Sequence, residues 1–98
     1  MSHIPTIELD TVLIQNKEVL SAAIDDSLVL MSFESENYYG LEAISRRIWE
    51  LFAEPCAVTT ICAQLLSEYD VDVATCEQEV LAFVYNLAKQ KLIQVVTR

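Results

Sequence analysis

The sequence predicts one α+β domain, a three-stranded antiparallel sheet followed by three helices, from three observations. Its 98 residues are 53% hydrophobic, enough for one core and too few for two. Between Val19 and Leu41, three apolar runs of strand length alternate with polar turns. From Ile44 onward the apolar period lengthens to that of helices. The chain also lacks internal repeats, linkers and low-complexity segments, so nothing divides it.

Residues 1–10 mix polar side chains with Pro5 and show little periodicity, which predicts a flexible N-terminal arm and leaves 11–98 as the domain. Thr11–Ile14 adds a short strand. Val19–Ile24 reads as the first main strand, Asp25-Asp26 as its turn, and Ser27–Phe33 as the second. In that second run Leu28 and Leu30 point to one face and Val29, Met31 and Phe33 to the other, so it is apolar on both sides and belongs at the centre. Tyr38–Leu41 pairs with it after a polar loop, and its outer edge is left free. Gly40, the single glycine, falls where strand gives way to helix and is expected to take a positive φ there.

Ile44, Ile48, Leu51 and Phe52 recur at helical spacing opposite Arg46, Arg47 and Glu50, with Pro55 closing the segment. A second helix, capped by Thr59 or Thr60, carries Ile61, Leu65, Leu66 and Tyr69 and ends near Asp70–Asp72. Thr75 and Gln78 match a capping box opening a third helix, with Glu77 and Glu79 early and Lys89 and Lys91 late, the order favoured by the helix dipole. Leu92–Val96 follows as a short strand or extended tail. The resulting order is close to a winged helix-turn-helix.

Composition excludes several functions. Fifteen acidic against six basic residues give a net charge of −9, which repels a phosphate backbone, so no nucleic-acid partner is expected. No apolar run approaches the roughly 20 residues of a membrane span. The N-terminus lacks the basic start and apolar run of a signal peptide, so a cytoplasmic location with reduced thiols is expected. Cys56, Cys62 and Cys76 contain no C-x-x-C pair and read as small hydrophobes. His3 has no neighbouring ligands, and Asp25-Asp26 and Asp70/Asp72 read as solvated turn residues. Trp49 reads as a core or partner-facing aromatic. Without an activated nucleophile, phosphate loop or metal cluster, neither enzymatic activity nor a cofactor is expected.

The third helix offers a binding face. Cys76, Val80, Phe83 and Leu87 form one apolar stripe, and Leu81, Val84, Tyr85 and Ala88 a second beside it. Together they exceed the stripe of about 100° by which a surface helix docks on its own core. An extended peptide pairing with the Tyr38–Leu41 edge would lay alternate side chains against a flanking helix, the strand-addition mode of recognition. Tyr38 and Tyr39 face opposite sides, so at most one lines such a groove.

These residues carry a resemblance. Tyr38–Leu41, Arg47–Leu51, Tyr69–Asp72 and Val80–Phe83, in that order behind the apolar strand, resemble the PqqD family of peptide-recognition domains, the RiPP recognition elements. Thr75-Cys76-Glu77 ahead of Val80–Phe83 is most similar to the stand-alone proteins of lasso-peptide biosynthesis. Lys91-Leu92 stands where many relatives have Gly-Leu. The resemblance implies a non-catalytic adaptor that binds the leader of a ribosomally made precursor peptide along the third strand and last helix. Its implied enzyme partner is a leader peptidase, or a radical-SAM enzyme as for the pyrroloquinoline-quinone protein. The candidate contact residues are Val29, Met31, Tyr38, Tyr39, Gly40, Leu41, Leu81, Val84, Tyr85 and Ala88. A winged-helix DNA-binding regulator is the alternative of a different class, and Glu77 and Glu79 on the last helix oppose it.

Overall fold

The computed structural model describes residues 6–33 and 36–96. Its elements are β1 (Val12–Gln15), β2 (Val19–Ile24), β3 (Ser27–Ser32), β4 (Asn37–Glu42), α1 (Ala43–Leu51), β5 (Cys56–Ala57), α2 (Val58–Glu68), α3 (Val73–Lys89) and β6 (Ile93–Val95). The strands form two three-stranded antiparallel sheets, ordered β2-β3-β4 and β5-β1-β6. The first is the predicted meander. The second arises because β1 pairs not with the meander but with β6, the segment read as a strand or tail, and with the two residues after Pro55.

Register in the meander follows from the alternation of β3. Leu28 pairs with Leu41 and Leu30 with Tyr39, which gathers these four side chains on the inner face. Leu28, Leu30 and Leu41 are buried there with Ile48, Trp49 and Phe52, the α2 residues Ile61 and Leu65, and Val80, Val84 and Leu87 of α3. Each fully buried large side chain in this cluster contributes about 1.5–3 kcal/mol through desolvation. Trp49 is therefore a core aromatic. Asp25 turns the β2–β3 hairpin at φ 54°, a left-handed conformation that Asp tolerates.

Several local expectations are corrected. Gly40 lies inside β4, paired with Val29, and does not take a positive φ. The strand runs on to Glu42, so the positive φ at the strand-to-helix junction falls on Ala43, at 51°. There the Ser45 hydroxyl accepts from the Glu42 N–H and donates to its carbonyl, closing the first turn of α1. Neither Thr59 nor Thr60 caps α2. The helix starts at Val58 because the N–H groups of Val58 and Thr59 donate to the carbonyls of Thr11 and Leu9, at 3.2 and 2.8 Å. The segment leading into β1 thus satisfies the orphan donors that a side-chain cap would otherwise take. The same bonds tie down the segment predicted as an arm: Ile7 and Leu9 pack against the core, while residues 1–5, including His3, lie outside the described residues.

For α3 the cap is Asp72, whose carboxylate accepts from the Thr75 N–H at 3.1 Å and the Thr75 hydroxyl at 3.3 Å. Thr75 is thus inside the helix and does not open a capping box with Gln78. Glu77 and Glu79 fall beyond the first turn, and Asp72 supplies the negative charge at the N-terminus. At the other end Lys91 takes φ 62°. The Lys91 N–H donates to Ala88 and the Leu92 N–H to Leu87, a complete Schellman closure with lysine where glycine is usual. The Asn16 amide donates to the Lys91 carbonyl at 2.9 Å and secures this turn from β1's end.

Arg47 of α1 forms a bidentate pair with Glu68 of α2, and the Gln64 amide donates to the same carboxylate. The Arg47 hydrogen bond, then that of Gln64, hold the Glu68 carboxyl below its ordinary pKa, and the Glu68 hydrogen bond raises that of Arg47. Cys62 and Cys76 are buried and Cys56 partly so, all three as free thiols. Burial, with a smaller contribution from neighbouring Cys76, pushes the Cys62 thiol up to about 11.

Candidate peptide-binding site

Strand β4 is an edge strand. It pairs with β3 on one side, and among the described residues no strand pairs with the other. Tyr39 points inward from β4 and donates its hydroxyl to the Gln90 side chain at the end of α3, at 2.9 Å. This contact sets one side of α3 against the β4 side of the domain. Taking Val80 as the core-facing direction, Phe83, Gln90 and Glu79 lie about 60°, 80° and 100° away on that side, whereas Leu81 and Tyr85 lie about 100° and 140° away on the other.

A cavity of about 230 Å³ opens on the Glu79–Phe83 side. Ile44 and Ile48 of α1, Tyr69 and Val71 from the α2–α3 connection, and Val80 and Phe83 of α3 give it apolar walls, with Glu79 also lining it. Ile44 stands in the first turn of α1, two residues past the end of β4, so the chain passes from the free edge directly into the cavity wall. An edge that can hydrogen-bond and an apolar pocket beside it are the two parts that strand addition uses: main-chain bonds for affinity and pockets for alternate side chains.

The ten residues proposed from sequence do not form one surface. Val84 is fully buried and Leu41 5% exposed, so both are core. Val84 lies about 40° around the helix from Val80, close to the core direction, and the two-stripe reading separated it from neighbours it packs with. Tyr39 is half-buried and braces α3, which leaves Tyr38, 72% exposed, on the opposite face. Leu81, Tyr85 and Ala88 lie on the side of α3 turned away from the cavity. Leu81 and Ala88 pack against the core, and Tyr85 is exposed.

Val29, Met31, Tyr38 and Gly40 belong to the outer face of the meander, in rows Leu20–Met31–Tyr38 and Ala22–Val29–Gly40. Leu20 and Ile24 are more than half exposed on the same face, and a side chain placed on Gly40 would meet nothing within 4 Å. This face is apolar and lies open to solvent. Sequence reasoning missed Ile44, Tyr69, Val71, Glu79 and Phe83. Phe83 was visible as a stripe member, but the other four lie on three separate segments, and only tertiary packing joins them.

Comparison with known proteins fixes the family. A family profile described as Coenzyme PQQ synthesis protein D (PqqD) matches residues 27–93, from the first residue of β3 to the first of β6. The chain belongs to the PqqD family. Among solved structures, TbiB1 in complex with the TbiA(beta) leader peptide is 33% identical, with a TM-score of 0.77 over 87% of this chain and 99% of that one. A lasso peptide synthetase B1 complexed with the leader peptide is 22% identical, with a TM-score of 0.74 over 84% and 96%. The PqqD truncation of Methylobacterium extorquens PqqCD, a stand-alone RiPP recognition element solved by NMR, is 20% identical, with a TM-score of 0.74 over 91% and 95%. The last two likenesses concern the fold. No curated protein sequence matches significantly. Among the described residues, no group of His, Cys, Asp and Glu is arranged to hold a metal ion, and no helix is long and apolar enough to cross a membrane.

Proposed function

We propose that the chain is a non-catalytic adaptor that binds the leader segment of a ribosomally synthesised precursor peptide and presents it to a processing enzyme. The observation that carries this reading is an edge of β4 left unpaired among the described residues, followed within two residues by the wall of an apolar cavity beside α3, in a domain one-third identical to a protein solved with a leader peptide. The leader adds as a strand to β4 and seats an apolar side chain in the cavity.

The outer face of the meander supports the second half of the reading. An apolar sheet face left uncovered marks a contact with another protein, and this one lies on the opposite side of the sheet from the core, clear of the cavity. A bound leader and a docked enzyme therefore do not compete for it. The resemblance of Thr75-Cys76-Glu77 and Val80–Phe83 to the stand-alone proteins of lasso-peptide biosynthesis favours a leader peptidase as that enzyme, and the resemblance to the pyrroloquinoline-quinone protein keeps a radical-SAM enzyme as the second reading. A DNA-binding role is opposed by the charge of −9.

Calorimetric titration with the synthetic leader encoded beside the gene tests the proposal. One-to-one binding in the micromolar range or tighter, about −8 kcal/mol, is expected, and the precursor should keep its intact mass until the enzyme is added. Absence of binding, or cleavage by this chain alone, overturns it.

A further inference from the structure

The cavity that receives the leader carries one charge in its lining, Glu79, and the surroundings leave that charge to the ligand. Of the other polar lining groups, the Ser45 hydroxyl is engaged with the Glu42 backbone and the Thr75 hydroxyl with Asp72, while Tyr69 adds a phenol to the same wall. On the α1 wall, Arg46 pairs with Glu50 and Arg47 with Glu68, so both guanidinium groups already face carboxylates of their own. Asp70 and Asp72, on the connection that forms the outer wall, add negative charge rather than compensation. The net charge of −9 extends the same field around the site.

Resting on the adaptor reading above, we propose that this groove selects leaders with a bulky apolar residue and a lysine or arginine two positions from it, the apolar residue filling the cavity against Phe83 and the cation pairing with Glu79. The volume fits the first requirement. A cavity of about 150 Å³ is enough to hold a benzene molecule, so about 230 Å³ takes a phenylalanine-, tyrosine- or leucine-sized group. Geometry sets the spacing. Glu79 and Phe83 are one helical turn apart, about 6 Å along the axis, and an extended peptide returns to the same face every second residue, about 6.6 Å. A strand added along α3 would thus bring positions n and n±2 to Phe83 and Glu79 together, and an acidic residue at the second position would meet a like charge.

The probe is a random peptide library displayed against the immobilised full chain, followed by titration of the selected peptides at low and high salt. Selected sequences should pair a bulky apolar residue with Lys or Arg two positions away. Their affinity should fall about threefold on Glu79→Gln, the scale of one exposed ion pair, and the loss should shrink at high salt. Selection against Glu79→Lys should exchange the cation for Asp or Glu. Because Glu79 is exposed on α3, both variants should melt as the parent does, which separates loss of charge from loss of fold. Peptides that bind with no preference at the second position, or that keep Lys or Arg against Glu79→Lys, overturn this inference while leaving the adaptor reading intact. A library that yields no binding peptide overturns both.

Discussion

Replacing Val84 with Asp should unfold the domain, whereas shortening Phe83, its neighbour in sequence, should spare the fold and cost binding. Val84 is fully buried among the core residues of β3, β4, α1 and α2. The substitution forfeits about 1.5–3 kcal/mol of burial and places a carboxyl without a partner in the core, a penalty of several kcal/mol whether it ionises or stays protonated. A total of about 5 kcal/mol or more matches the lower end of the 5–15 kcal/mol that holds such domains together. Phe83 is half-buried and lines the cavity, so Phe83→Ala should cost about 2 kcal/mol of stability, below the 3–5 kcal/mol of a fully buried aromatic. Its loss of apolar contact should weaken leader binding about tenfold or more. Circular-dichroism melts paired with calorimetric titration read both effects. A Val84→Asp protein that melts normally but has lost leader binding would refute this assignment and move the site to the far side of α3.

The C-terminal turn of α3 holds Lys91 at φ 62°, a conformation that costs a side-chain-bearing residue about 1–2 kcal/mol. Lys91→Gly should therefore raise stability by about 0.5 kcal/mol after glycine's greater unfolded-state entropy is subtracted, a rise of about 2–4 °C in melting temperature; a lower melting temperature would refute it. Glu68 has a folded-state pKa below its usual 4.5, so the stability it contributes is present above that value and lost as pH falls through the folded value. Melts across this acidic window should show Glu68→Gln with a shallower acid loss than the parent, and identical slopes would argue against the Arg47–Glu68 clamp. Burial raises the Cys62 thiol to about 11, so little thiolate exists at neutral pH. Native protein treated with iodoacetamide should leave Cys62 unmodified by mass spectrometry until denaturant is added.

Local patterns in the sequence announced most of the fold and little of the site's geometry. The β2-β3-β4 meander was legible because Leu28, Leu30 and Leu41 alternate with smaller or outward residues, and the three helices because their apolar spacing repeats. The second sheet was not, since β5 is two residues long and β1 and β6 pair across almost the whole chain. The caps failed for a related reason. Thr59, Thr60 and Thr75 fit local capping rules, but the carbonyls of Leu9 and Thr11 and the carboxylate of Asp72 satisfied those donors first. In the site, the free edge of β4 was foreseen, but the choice between the two sides of α3 depends on Tyr39 reaching Gln90, a contact 51 residues apart in sequence.

The most direct test is amide hydrogen exchange by NMR on the isotopically labelled chain with and without the synthetic leader. Strand addition predicts that amides in Asn37–Glu42 slow on binding, with accompanying shift changes at Ile44, Glu79 and Phe83 and none confined to Leu81 and Tyr85. Protection appearing along β2, the other edge of the meander, or shifts limited to the Leu81–Tyr85 side of α3 with β4 unchanged, would contradict the account.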